Sequence, residues 1–182
     1  MRQSFSREFA KCLFERHYDA KISPPYLHWH SINAPTGGPL AVLGYRAAGD
    51  GPLFLECYLD KPVEDLVSTW LGTACERNRI VEIGCLAAVS STALVRLWRE
   101  TADLLGERYT VAVATLTSRL RENFTRVGLP FTCLAPAREE RLSRSVEDWG
   151  SYYREEPLVC AGLIAEGVDA LSRYTDRTGA LP

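Results

Sequence analysis

Arg79 to Thr92, RIVEIGCLAAVSST, sets the reading of the whole chain. From Ile80 to Ser90 its residues are small or apolar with one charged exception, Glu82. A near-continuous apolar run of this kind predicts a central strand buried on both faces. A carboxylate in such a strand carries a desolvation cost, so Glu82 is either paired with a cation or used in chemistry.

Working outward, Ser90, Ser91 and Thr92 offer caps for a helix reaching to about Leu105. Leu94, Leu97, Trp98, Thr101 and Leu105 fall on one face of it, and Gly106 closes it. Tyr109 to Leu116, YTVAVATL, predicts the next strand, and a strand, crossover helix and strand form a right-handed parallel unit. Upstream, Asp60 and Pro62 open a helix whose stripe is Val63, Leu66, Val67, Trp70 and Leu71, with Gly72 as its stop. Before that, three short strands are expected at Tyr26 to Ile32, Leu40 to Ala47 and Leu53 to Leu59. The turns NAPTGGP and GDGP separate them, which suggests an antiparallel meander. Ser4 to Arg16 predicts a first helix with Phe5, Phe9, Cys12 and Leu13 on one face. Downstream lie a short basic helix, Ser118 to Val127, and a strand, Phe131 to Ala135. A charged stretch, Arg138 to Asp148, precedes the aromatic run Trp149-Gly150-Ser151-Tyr152-Tyr153. A last strand, Leu158 to Ile164, passes into a terminal helix, Ala165 to Tyr174.

With 182 residues, 46% of them hydrophobic, the chain can bury one core and reads as a single domain over residues 1–182. A formal net charge of -2 gives no global drive toward nucleic acid or anionic lipid. Six scattered cysteines with no CxxC pair and no apolar leader read as reduced thiols of a cytoplasmic protein. No window approaches the ~18–20 apolar residues that a membrane helix requires. No Gly-rich nucleotide loop, GxSxG or HExxH is present, and no metal site is expected.

An antiparallel front half leading into a parallel crossover resembles the GNAT-type acyltransferase superfamily. The resemblance implies a mixed α/β sheet flanked by helices. Its two central parallel strands, Ile80–Val89 and Tyr109–Leu116, would splay apart and take a thioester's pantetheine arm between them. The pieces Phe54-Leu-Glu-Cys-Tyr-Leu-Asp60, Ile80-Val-Glu-Ile-Gly-Cys-Leu-Ala87, Arg121–Leu129 and Trp149-Gly-Ser-Tyr-Tyr153, in this order, look like the thermostable hemolysin family. That family is similar to GNAT-type proteins and to autoinducer and N-acyl amino acid synthases. The implied activity moves an acyl group from a carrier-protein or coenzyme A thioester to the amine of a small molecule, with no tightly bound cofactor. Three positions depart from these patterns. Val89-Ser-Ser-Thr-Ala93 lacks the glycines of the usual pyrophosphate loop, which favours a carrier-protein donor. Phe124 stands where many acetyltransferases place a tyrosine general acid, and Cys85 where the hemolysin family more often has Asn. A non-catalytic lipid- or acyl-chain-binding effector, lytic as the family name suggests, is the alternative; a scaffold that has lost activity is a third reading.

Acyl transfer from a thioester to an amine needs a base, an oxyanion donor and a water-poor groove. Glu82 is the candidate base, directly or through water; the structural alternative is an ion pair with Arg77 or Arg79. Tyr153 is a candidate proton donor, and Tyr152 and Cys85 are candidates for the acceptor pocket, against ordinary aromatic packing and an inert core thiol. His28 and His30 share one strand face and are also assigned to that pocket; their i,i+2 spacing lacks a third metal ligand. Leu86, Ala87, Ala88, Ser90 and Arg119 are the expected donor-binding residues. The amides of Leu86 and Ala88 would pair with pantetheine if the strands part and with a neighbouring strand if they do not. Arg119, Arg121 and Arg126 either dock an acidic carrier protein or form a solvated helix face.

Overall fold

The computed structural model describes residues 2–142 and 148–178. Six strands form one mixed sheet: β1 (His28–Asn33), β2 (Pro39–Ala47), β3 (Ile80–Ala88), β4 (Val111–Leu116), β5 (Thr132–Pro136) and β6 (Leu158–Leu163). Their spatial order is β1-β2-β3-β4-β6-β5. Only β3 and β4 run parallel; every other neighbouring pair is antiparallel. The helices are α1 (Arg2–Tyr18), α2 (Val63–Leu71), α3 (Ser91–Gly106), α4 (Ser118–Val127) and α5 (Ile164–Thr178).

The period-2 pattern of each strand decides what covers it. Val81 and Ile83 of β3 pack with Leu105, Tyr109 and Ile164 on the side of α3 and α5. Ile80, Val111 and Val113 pack on the opposite side against Leu55, Tyr58, Val63 and Val67. The crossover strand–helix–strand unit is as the apolar spacing predicts, and so are the buried positions Leu94, Leu97, Trp98, Thr101 and Leu105 along α3, to which the structure adds Val95.

Two expectations need correction. Leu53 to Leu59 is not a strand; Phe54–Tyr58 is a 3-10 helix, and β2 pairs directly with β3. Its buried residues are Leu53, Leu55, Tyr58 and Leu59, a spacing that follows a tight turn rather than strict alternation. The Leu53 N–H donates to Glu56 Oε2 at 2.8 Å, closing the turn. Arg77 then clamps the segment: it donates to both oxygens of Glu56 at 2.7 Å, to Glu64 at 2.6 Å, and to the carbonyls of Ala48 and Gly51. In α1 the buried residues are Ser6, Ala10 and Phe14, at i, i+4 and i+8, while Phe5 is 65% exposed. The helix lies close over Val42 and Ala87, where only a small residue such as Ala10 fits.

Candidate active site

The parallel pair β3–β4 is hydrogen-bonded in register only from Ile80↔Val111 to Ile83↔Ala114. Beyond that point each strand stays with its outer neighbour. Ala87 and Ala88 face Val42 and Ala41 of β2, while Thr115 and Leu116 face Val159 and Leu158 of β6. The sheet therefore opens in its middle with both halves intact. A bulge marks the opening: two residues, Cys85 and Leu86, separate Gly84 from Ala87, against one between their partners Gly44 and Val42. Cys85 takes a left-handed φ of 49° there, a conformation costly for a residue with a side chain and better tolerated by Asn. The Val89 N–H donates to Leu40 O at 2.9 Å. Ladder alternation from that bond turns the amides of Leu86 and Ala88 away from β2 and toward the gap.

Two cavities meet at the opening, sharing Phe14, Ile83, Gly84, Cys85, Thr115 and Tyr152. The larger, about 160 Å³, runs beneath α3, α4 and α5 and is walled by apolar side chains including Ile83, Ala114, Phe124, Phe131 and Leu171. It is roughly the size of an engineered 150 Å³ apolar cavity that stays dry and takes benzene. The smaller, about 40 Å³, lies on the other side of the sheet among Phe14, Tyr26, Phe54, Tyr58, Trp149 and Tyr152. The buried indole N–H of Trp149 has no hydrogen-bond partner.

Glu82 is 2% exposed, and among the described residues no arginine pairs with it. Its Oε2 accepts the Phe54 N–H at 2.8 Å; its Oε1 accepts the Leu55 N–H at 2.9 Å and the Tyr26 hydroxyl at 3.3 Å. Arg77 is occupied by Glu56 and Glu64, and Arg79 bonds Thr110. Burial pushes the Glu82 carboxyl up to about 7, with the two amides, Tyr26 and the Arg46 charge pulling the other way. The 3-10 segment that the sequence suggested as a strand is thus what supplies both amides.

The strand expected from Tyr26 begins at His28, and Tyr26 instead lies across the sheet. Gly44 and Gly84, register partners on β2 and β3, form the trough that holds its ring. A methyl group on Gly44 would stand 2.6 Å from Tyr26 Cβ, and one on Gly84 would meet the hydroxyl. The signal lay in those two glycines, each inside an otherwise apolar strand, where a gap in side-chain packing invites another group.

The remaining expected site residues separate into those at the opening and those away from it. Cys85 and Tyr152 line both cavities. Tyr153 lines neither; it bonds Tyr58, O to O at 2.6 Å, and packs its ring on Trp149 and Tyr152, all three of which line the smaller cavity. Ala87 turns its side chain under α1, and Ser90 caps α3 by accepting the Ala93 N–H at 3.2 Å. Arg119 is exposed on α4. Arg121 is not free to dock a partner: it donates to Leu116 O and Glu156 O at 2.7 and 2.9 Å. His28 and His30 sit on the edge strand β1, two strands from the opening. His28 stacks on Tyr45 and His30 pairs with Glu100 at 3.5 Å. The structure does not bring them to the site. Phe124 lines the larger cavity and meets the Trp98 ring edge-on at 4.6 Å, an apolar role in place of a proton donor. Among the described residues no cluster of His, Cys, Asp and Glu is arranged to hold a metal ion, and no helix is long and apolar enough to cross a membrane.

Compared with protein families, residues 2–168 match thermostable hemolysin. The chain belongs to the thermostable hemolysin family. None of the curated proteins matches it. Among solved structures, TofI in an apo form superposes with a TM-score of 0.63 at 12% identity, covering 93% of this chain and 87% of that one. The acyl-homoserine lactone synthase LasI gives 0.59 at 14% identity over 93% and 88%. BjaI, a CoA-dependent acyl-homoserine lactone synthase solved with SAM and isopentyl-CoA, gives 0.60 at 12% identity over 97% and 83%. This family member therefore has a GNAT-like fold, the one on which those synthases are built.

Proposed function

We propose that this thermostable hemolysin family member transfers an acyl group from a thioester, on a carrier protein or on coenzyme A, to the amine of a small molecule. The parting of β3 and β4 after Ile83 and Ala114, with an apolar cavity on one side and a buried carboxylate on the other, carries this reading. The pantetheine arm lies in the gap and pairs with the amides of Leu86 and Ala88 as a missing strand would. The acyl chain enters the larger cavity and the amine the smaller one.

In the reaction the amine nitrogen bonds to the thioester carbonyl carbon and the carbon–sulfur bond breaks. The nitrogen gives up a proton, and the departing thiolate takes one. Three donors already occupy the Glu82 oxygens; Tyr26 and Phe54 both line the smaller cavity, but of the three donors only the Tyr26 hydroxyl can accept one proton as it gives up another, which a backbone amide cannot. The proton accordingly passes from the amine to the Tyr26 hydroxyl as Tyr26 yields its own to Glu82. With Tyr26 in this role, Tyr153 holds Tyr58 in place rather than donating a proton itself. Arg119 and Arg126, exposed on α4, are the groups available to an acidic carrier protein.

The test incubates the purified protein with acyl carrier proteins and coenzyme A thioesters against a panel of amines. Mass spectrometry of N-acyl products and release of free thiol are the readouts. Product formed by the wild type and lost in Glu82→Gln is expected; no product from any pairing with folded protein contradicts the proposal.

A further inference from the structure

We infer that Cys133 and Cys160 form an oxidisable thiol pair. A hydroperoxide reacts at Cys133, and Cys160 resolves the product into a disulfide that ties the edge strand β5 to the wall of the larger cavity. The two residues are register partners on the antiparallel pair β5–β6, and their sulfurs stand 3.7 Å apart although 27 positions separate them in the chain. Directly opposed residues on antiparallel strands hold their Cα atoms about 4.5–5.5 Å apart, inside the roughly 4.4–6.8 Å that a disulfide spans. The sulfurs must still close to about 2.05 Å. β5 can supply that movement. It ends the sheet, and a register shift between Cys133 and Ala135 breaks its ladder next to the thiol.

Exposure divides the roles. Cys133 is exposed and meets a soluble oxidant, whereas Cys160 is 2% exposed and lines the larger cavity. The Cys160 S–H donates to the Cys133 sulfur, with Leu158 O at 3.6 Å as an alternative acceptor. A donor at Cys133 favours its thiolate, the form that attacks a peroxide. Burial, and after it the charge on Cys133, pushes the Cys160 thiol up, so Cys160 keeps its proton while Cys133 gives one up.

In the first step the Cys133 sulfur bonds to one peroxide oxygen and the O–O bond breaks. Cys133 becomes a sulfenic acid, and the departing oxygen takes the proton that Cys133 released, leaving as water or an alcohol. In the second step the Cys160 sulfur bonds to the Cys133 sulfur and the S–O bond breaks, the hydroxyl leaving with the Cys160 proton as water. Two electrons pass from the thiol pair to the peroxide. The bridge closes a loop that carries Trp149 and Tyr152, walls of the smaller cavity, and anchors it at the wall of the larger one.

The experiment needs no acyl donor or amine, so it stands apart from the proposed reaction. Reduced, folded wild type is treated with equimolar hydrogen peroxide, catalase stops the reaction, and remaining thiols are alkylated in denaturant. Mass spectrometry of the digest reads the pairings, with Cys133→Ser, Cys160→Ala and a urea-unfolded wild-type sample treated in the same way. Folded wild type is expected to give a Cys133–Cys160 linked peptide as its most abundant disulfide, lighter by two hydrogens than the separate peptides and removed by dithiothreitol. Cys160→Ala should stop at a sulfenic acid on Cys133 that dimedone captures, and Cys133→Ser should leave Cys160 as an alkylated thiol. The unfolded sample should scatter its pairings over the six cysteines. Recovery of both residues alkylated from folded wild type, an oxidised Cys133 that never bridges to Cys160, or the same pairing preference in the unfolded chain overturns the inference.

Discussion

Burial of Glu82 favours its protonated form, whereas its proposed role as a base needs the ionised one. With its carboxyl raised to about 7 from an ordinary 4.5, it holds its proton in the folded protein at pH values where the unfolded chain has released it. Folded protein then binds more protons than unfolded, so stability falls as pH rises through that window, by on the order of 3 kcal/mol in all. Below about 4.5 both states are protonated and the effect disappears. Urea unfolding across this range should show the decline in wild type and a flatter profile in Glu82→Gln. Activity has the opposite slope, because a base must be ionised, and should climb as pH passes about 7. Tyr26→Phe keeps the ring in its glycine trough but removes the hydroxyl. It should lower kcat by roughly 10²-fold with little change in KM, and move the pH midpoint upward because the carboxylate loses a donor. Activity equal to wild type would remove Tyr26 from the proton path. At the bulge, Cys85→Asn should leave the fold intact and raise stability by up to about 1 kcal/mol in denaturant melts, since Asn tolerates a left-handed φ better than Cys.

The elements around the opening divide into one that positions the proposed base and several that shape the cavity. The 3-10 turn Phe54–Tyr58 presents two amides to Glu82 only because Glu56 is locked to Arg77. That pairing holds the Glu56 carboxyl down at about 2, so its stabilisation is complete above the ordinary 4.5 and is lost as pH falls toward 2. Arg77→Met strands a half-buried carboxylate. It should cost on the order of 3 kcal/mol by chemical denaturation and lower activity as well, although Arg77 does not line either cavity. On the cavity side Gly167 of α5 sets the room available. Gly167→Leu should fill part of the larger cavity and shift preference toward shorter acyl chains, read by competing donors of different length. Apolar periodicity made β3, α3 and β4 legible, because most of their apolar residues face a core. It failed at Leu53–Leu59, because alternation and a tight turn look alike over seven residues and the choice is made by β2 pairing directly with β3. In α1 it held in part: Phe9 and Leu13 pack, partly buried, against Ala10, Val42 and Ala87, while Phe5 is exposed and the small Ala10 takes the innermost position.

Across the whole molecule, a six-stranded sheet that stays paired at both flanks and opens in the centre places two cavities back to back. The parallel crossover and the buried acid were legible in Arg79–Thr92. The tyrosine that reaches the acid was not, because Tyr26 and Glu82 stand 56 positions apart and meet only through the trough at Gly44 and Gly84. Nor was the remoteness of His28 and His30: alternation places two side chains on one face without saying that the strand is an edge. The claim on which the rest depends is that the exposed edge of β3 is the docking strand for a thioester arm. Residue-resolved amide hydrogen exchange tests it most directly, with and without an acyl-pantetheine. The amides of Leu86 and Ala88 should exchange quickly in the free protein and become protected on addition, while that of Ala87, bonded to β2, is protected in both. Protection of Leu86 and Ala88 in the free protein, or no change when the acyl-pantetheine is bound, would contradict the account.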